Sequence, residues 1–580
     1  MSDVITSEII RNAFLAAAED MRSTLWRSAF SPVIYEMKDC SVALFDERAR
    51  LLAQAPGLPF FLGALSEVVQ LAINHVGSGN IHSGDAYIVN DSYLTGSHLN
   101  DVDILTPVIY SANVIGFAIT RAHWRDMGGK DAAYSMDSTE IFHEGLRLGV
   151  TKLAVRGKVS EDLVNILASN SRLPNSLLGD MHAQIAACRI GERRYREIVE
   201  RFGLDMVRAS MANVFETTEV LERNAISEIP DGTYVAQGFQ DNDFHTEDPI
   251  PISVRVKVNG TEIYVDTRGS SMQRAGCTNC GLIQTISAIR LAYKFLIRPD
   301  LEVTGGSFRS LETEVEPGSI FDASEPAACL QYGTHTMLLV DLIIRALSDA
   351  IPERVTAGLP GDAWNVIMTS RDLRGHVKAA WGESTAGGWG ANALTDGESA
   401  IIHSAAGDFR NFPIESMENK YPVRIHTYGL GIDSGGAGCQ RGGLNIVKTY
   451  EVLSDGVDVS FWFERTHTPA WGLFGGHDGA VPKVVLEPQS DYPEEVLKVN
   501  HKKMFRGMIF TIASGGGGGY GLPYHRPVEL VEEDLVDGYI SKQASESIYL
   551  VRSVSGTIKV DKEETAELRQ SVMIPEEKQE

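Results

Sequence analysis

Cysteine is scarce: six in 580 residues (Cys40, Cys188, Cys277, Cys280, Cys329 and Cys439) cannot build a disulfide framework, so the fold has to rest on buried apolar surface. Basic residues are also under-represented, 52 Lys and Arg against 77 Asp and Glu, a formal net charge of −25. Phosphate backbones and anionic bilayers select for clustered Lys and Arg, so neither nucleic acid nor a membrane is an expected partner. No apolar run approaches the roughly 18 residues of a bilayer-spanning helix. The opening residues MSDVITSEIIRNAF lack a basic segment followed by an apolar one, so a cytoplasmic setting with reduced thiols is expected. A Gly-x-x-x-x-Gly-Lys-Ser/Thr phosphate loop is missing too: Gly128-Gly129-Lys130 runs into Asp131 and has no upstream glycine. Glycine, in contrast, is abundant, 55 residues weighted to the second half, where it reports turns joining β-strands and close backbone approach.

Hydrophobic periodicity divides the chain into a mixed α/β and α+β multidomain protein. Residues 1–205 read as an α/β domain. Ile10, Phe14, Met21 and Leu25 mark a helix that starts after Ser7 and ends before Ser31-Pro32. Strands are expected over Cys40–Phe45, Ala86–Val89 and Ile115–Ala122, with a helix over Leu65–His75 and helix again over 160–202, broken near Arg172-Leu173-Pro174. Residues 206–395 read as α+β. Pro230-Asp231-Gly232 and Asn259-Gly260 supply hairpin chemistry there, and helices are expected over Leu282–Ile297 and Met337–Leu347. Residues 396–580 read as mainly β, broken by glycine clusters, with a polar end at Pro575–Glu580 expected to fray.

The densest chemistry lies in NDSYLTGSHLNDVD (90–103) and RAHWRDMGG (121–129). Each holds a His with an Asp three residues later, His98 with Asp101 and His123 with Asp126. Neutral imidazoles with carboxylates and no nearby cysteine pair suit a catalytic Zn²⁺, Mn²⁺ or Fe²⁺ site. Asp91 and Asp103 compete as ligands on spacing alone, and Asp39 adds a carboxylate if its strand neighbours the other two. Cys277-x-x-Cys280, with no second pair, reads as two buried thiols.

These stretches resemble the hydantoinase B/oxoprolinase family. Asn90-Asp91-x-Tyr93-x-x-Gly96-x-His98-x-x-Asp101 and Ala122-His123-x-x-Asp126-Met127-Gly128-Gly129 are similar to two of its signatures. Phe142-His143-Glu144-Gly145-Leu146-Arg147 resembles a third. Asp433 to Gly438 with Arg441-Gly442-Gly443, and Gly515 to Gly521 with Pro523 and Arg526, resemble two more. Ser92, Thr95 and His143 depart from the usual Pro, Gly and Gln.

The resemblance implies a metal on Asp39, His98, Asp101 and His123, zinc first and manganese second. Asp126 would orient an imidazole, and Asp126 or Glu144 would accept the proton in transit. It implies a subunit of an ATP-dependent hydrolase that opens a cyclic amide: a lactam, a hydantoin or oxoproline. ATP and Mg²⁺ would sit on a separate A-type ATPase subunit in a heterotetramer of two copies each, ATP phosphorylating the amide oxygen or making carboxyphosphate from bicarbonate. A subunit of an acetone- or acetophenone-type carboxylase, and a scaffold with a structural metal, are the alternatives.

Overall fold

The apolar stripe Ile10, Phe14, Met21 and Leu25 is fully buried on helix α1 (Val4–Ser28) in the computed structural model, which describes residues 4–554 and 557–573. The expected fraying of Pro575–Glu580 lies outside the described residues. Helix α2 (Pro32–Tyr35) leads into strand β1 (Cys40–Asp46) and β2 (Leu51–Gln54). A single helical turn, α3 (Pro59–Leu62), precedes α4 (Leu65–Val76). Then come β3 (Ala86–Val89), the short α5 (Ser92–Thr95), β4 (Asp101–Tyr110), β5 (Asn113–His123), β6 (Thr151–Val155) and β7 (Lys158–Val159).

These strands form one antiparallel sheet in the order β2-β1-β5-β4-β3-β6-β7. Strand β4 is not among the expected strands, yet it is central and buried along most of its length. Burial on both faces erases the alternation that marks a half-exposed strand. One face is covered by α1 and α7 (Pro174–Phe202), the other by α4 through Leu65, Val68, Val69 and Ala72. Helix α6 (Glu161–Ser169) precedes α7, and the expected break falls between them.

Helix α8 (Leu204–Ile226) places Val207, Met211 and Phe215 in the first core and Ala225 and Ile226 in the second. The expected boundary at 205 therefore falls at the start of an element that serves both cores. The second sheet runs β11-β10-β9-β8, from β8 (Gly232–Gln240), β9 (Ile250–Asn259), β10 (Glu262–Asp266) and β11 (Leu311–Glu314). Asn259 and Glu262 face each other across the Asn259-Gly260 hairpin. Helices α9 (Leu282–Leu296) and α10 (Tyr332–Ala346) share the second core with this sheet. Helix α10 begins five residues before the apolar pattern does.

The third region is a pair of sheets around Val366, Phe461, Tyr450 and Phe510. Its four-stranded sheet contains β12 (Asn365–Arg371) and β13 (Val377–Ser384), and β12 pairs directly with Val457–Trp462. Strands from both sides of the boundary expected at 395 thus share one sheet. β-pairing joins residues nearly a hundred positions apart, which a linear reading of composition cannot register.

Candidate metal centre

Strand register brings the site together. Asp101, the first residue of β4, lies directly across from His123, the last of β5. Strand β1 is the other neighbour of β5, and the His123 N–H donates to the Asp39 carbonyl at 3.1 Å. Asp39, His123 and Asp101 thus sit at one end of three adjacent strands. His98 arrives from the turn after α5, whose N-terminal end is capped by Asp91: the Tyr93 N–H donates to its carboxylate at 3.0 Å. Gly96 closes that turn at φ +91°, where a Cβ would lie 2.2 Å from the Gln284 nitrogen of α9, so the motif needs glycine there. Asn90 ties the same turn to the Glu144 segment, donating to the carbonyls of Leu99 and Leu146 and accepting from the Leu148 N–H.

Three side-chain atoms converge. His98 Nε2 is 2.9 Å from Asp101 Oδ1 and 3.2 Å from His123 Nδ1, which is itself 3.1 Å from Asp101 Oδ1. Ligand atoms each about 2.0–2.2 Å from one ion stand about 3–3.4 Å apart, so the triangle fits a divalent cation. His98 Nδ1 lies 3.0 Å from the Leu330 carbonyl, which only accepts; Nδ1 therefore carries the hydrogen and Nε2 offers its lone pair to the cluster. The Tyr332 hydroxyl donates to Asp101 Oδ2 at 3.0 Å, leaving Oδ1 for the cluster. The Tyr134 hydroxyl stands 3.5 Å from His123 Nε2. Asp39 Oδ1 is buried with no hydrogen-bond partner among the described residues; it lines the same cavity but lies outside the triangle.

The electrostatics follow from crowding. Burial works against the charge on Asp101, but the imidazoles of His98 and His123 outweigh it and hold the carboxyl far below its usual range. Burial and the neighbouring Asp101 push Asp39 well up, against a smaller opposing pull from His98. His98 is raised overall, because Asp101 and the Leu330 carbonyl overcome its desolvation. His123 is lowered, chiefly by burial. One carboxylate ionised, another held back and two unlike imidazoles describe a site short of positive charge.

The cluster forms one wall of a cavity of about 100 Å³. Leu58, Phe60, Phe61, Met337 and Phe409 supply an apolar wall, and Gln331, Asn365 and Ser384 supply amide and hydroxyl groups. The other candidates lie elsewhere. Asp103 is fully buried against Arg121, 2.6 and 2.9 Å away. Asp126 meets Arg172 at 2.9 Å and the Ser171 hydroxyl rather than an imidazole. Glu144 sits behind the cavity, where its Oε1 accepts from the N–H groups of Cys329 and Leu330 and from Ser138. Burial pushes the Glu144 carboxyl up to about 7, those bonds pulling back. Cys277 and Cys280 are buried free thiols. Sequence reasoning missed Tyr134, Gln331 and Tyr332. Tyr332 lies 231 residues from its partner Asp101, a separation at which spacing carries no signal.

The hydantoinase B/oxoprolinase family model matches residues 3–523. A putative D-/L-hydantoinase B-type chain from Pseudomonas sp. (strain NS671) is 30% identical over 98% of this chain and 98% of its own. The beta subunit of caprolactamase from Pseudomonas jessenii is 31% identical over 93% of this chain and 94% of its own. The crystal structure of ATP-dependent caprolactamase from Pseudomonas jessenii superposes with a TM-score of 0.90 at 28% identity, covering 98% of this chain and 99% of that one. Among the described residues no helix is long and apolar enough to cross a membrane. The match over most of the chain makes this protein a member of the hydantoinase B/oxoprolinase family.

Proposed function

We propose that the chain is the metal-carrying subunit of an ATP-dependent enzyme that opens a cyclic amide. The observation that carries this reading is the triangle of His98 Nε2, Asp101 Oδ1 and His123 Nδ1 on the wall of a small, largely apolar cavity. His98, Asp101, His123 and Asp39 would hold a divalent cation, zinc first and manganese second, which would supply a Lewis acid for an amide carbonyl. Leu330 and Tyr332 hold His98 and Asp101 in place, and groups behind metal ligands set both orientation and affinity. Glu144 acts through Leu330 as a positioning residue, and Asp126, tied to Arg172, fixes the loop after β5. The apolar wall accommodates the methylenes of a small ring and keeps water off the reacting carbonyl.

Two of the relatives are themselves single chains of multi-chain enzymes, which supports a second chain here. We assign ATP and Mg²⁺ to an A-type ATPase subunit, two copies of each chain forming a heterotetramer. Co-expressed with such an ATPase, the complex should release ADP with one class among hydantoins, 5-oxoproline and caprolactam, assayed with and without bicarbonate. His98→Ala or His123→Ala should lose both turnover and bound metal, read by elemental analysis. Tyr332→Phe should keep the fold and weaken metal binding about 10- to 100-fold. Metal and activity retained in either histidine variant would sink the assignment.

A further inference from the structure

A second cavity, of about 390 Å³, is larger than the metal cavity and lies where α9 faces the β1–β2 hairpin and α4. Its volume falls in the range of small-molecule sites, about 300–1,000 Å³. Arg290, Leu291 and Lys294, spaced along one face of α9, form one side; Arg50, Glu67 and Phe308 stand around the rest. Three cations and one carboxylate line it, and Asp46 and Glu222 stand beside two of those cations.

Two of these cations are committed. Arg290 holds Glu67 in a two-pronged pair at 2.6 and 2.7 Å and donates to the Gly63 carbonyl at 2.8 Å. Arg50 is paired with Asp46 at 2.7 Å. Lys294 is not so engaged. Its one hydrogen-bond acceptor among the described residues is Glu222 Oε1 at 3.3 Å, long for a charge-assisted bond, and an ammonium carries three donors. Glu222 cannot move closer freely, since its other oxygen accepts from the Tyr293 hydroxyl at 3.1 Å and the Phe308 N–H at 3.0 Å. The Lys294 side chain is only 13% exposed, and desolvation lowers its pKa despite Glu222. Glu222 meets one of the three ammonium donors, and the other two have no acceptor among the described residues.

We propose that this cavity binds a small amphipathic monocarboxylate, its carboxylate on Lys294 and its apolar body against Leu291 and Phe308. A protonated amine has no acceptor for the free Lys294 donors, and a neutral alcohol is a weaker acceptor than a carboxylate. A dianion would need more free donors than Lys294 alone offers. The cavity also shares a partition with the metal site: Pro59 and Leu62 of α3 line it, whereas Leu58, Phe60 and Phe61 line the metal cavity.

Titration calorimetry of the full-length protein with hexanoate, hexylamine and hexanol tests this without turnover. Hexanoate should bind saturably with one site per chain, and the other two should give no saturable heat. Lys294→Met should weaken hexanoate about 10- to 100-fold, the worth of a hydrogen bond to a charged group, and Lys294→Arg should retain it. Leu291→Trp, which fills the cavity and leaves the Lys294–Glu222 pair intact, should also abolish binding if Lys294→Met fails to fold. Hexanoate affinity unchanged in Lys294→Met or Leu291→Trp, or matched by hexylamine, would overturn the proposal.

Discussion

Asp180 is a buried carboxylate of α7 that accepts from the backbone N–H groups of Phe30 and Ser31 at 2.7 and 2.9 Å, fixing the link between α1 and α2. Burial pushes its carboxyl up to about 6, those bonds pulling back. A carboxyl raised by folding binds its proton more tightly in the folded state than in the unfolded one. Its contribution to stability is therefore full below 3.8, the unfolded value, and lost as pH rises through about 6. Asp180→Asn keeps the acceptor oxygen and removes the titration. In urea unfolding from pH 4 to 7, the variant should gain on the parent by on the order of 2 kcal/mol, and a constant difference would refute the assignment. At this scale the sequence is most readable where chemistry is local. His98, Asp101 and His123 fall within 26 residues, and the two His-x-x-Asp spacings flag them. Asp91 and Asp103 look equivalent to them until strand register turns Asp103 toward Arg121 and leaves Asp101 opposite His123.

Among elements, helices with a clear stripe are readable to within a few residues: α1, α4 and α9 fall where periodicity puts them. Strand β4 is not, being buried on both faces and containing Pro107, which ordinarily argues against a central strand. The first turn of α10 is hidden by Gly333 and Thr334, although it carries Tyr332 to Asp101. The glycine clusters read as turns, and at Gly517 the structure shows a different cause. That residue is packed backbone to backbone, and a Cβ would lie 1.9 Å from the Trp389 carbonyl oxygen. Neither segment can yield without breaking its neighbours. Gly517→Ala should therefore cost about 4 kcal/mol or more, or prevent folding, in denaturant melts. Gly149→Ala, with open space around its Cβ position, should change stability by under about 1 kcal/mol. Equal effects from the two would show that close approach is not what selects glycine at 517.

For the whole molecule, the three largest cores of the described residues are joined by elements that belong to two of them or pair across the expected boundaries. Helix α8 feeds the first and second cores, and β12 pairs with a strand beyond residue 395. A fragment of residues 1–205 loses Val207, Met211 and Phe215 from the first core, so it should lack a cooperative melt. The full chain should give a sharp main transition by calorimetry. A fragment melting like the intact chain would restore the boundary at 205. The general plan, helices over sheets and then β-rich structure, follows from composition and periodicity, but the boundaries do not, because shared sheets are built from distant strands. Helix α3 carries this sharing to its smallest size: one turn faces two chambers. Substitutions on its opposite sides cannot be independent, since Leu62 and Phe61 ride on the same four-residue backbone. Their effects should combine non-additively, so the two chambers will drift through evolution as a linked pair.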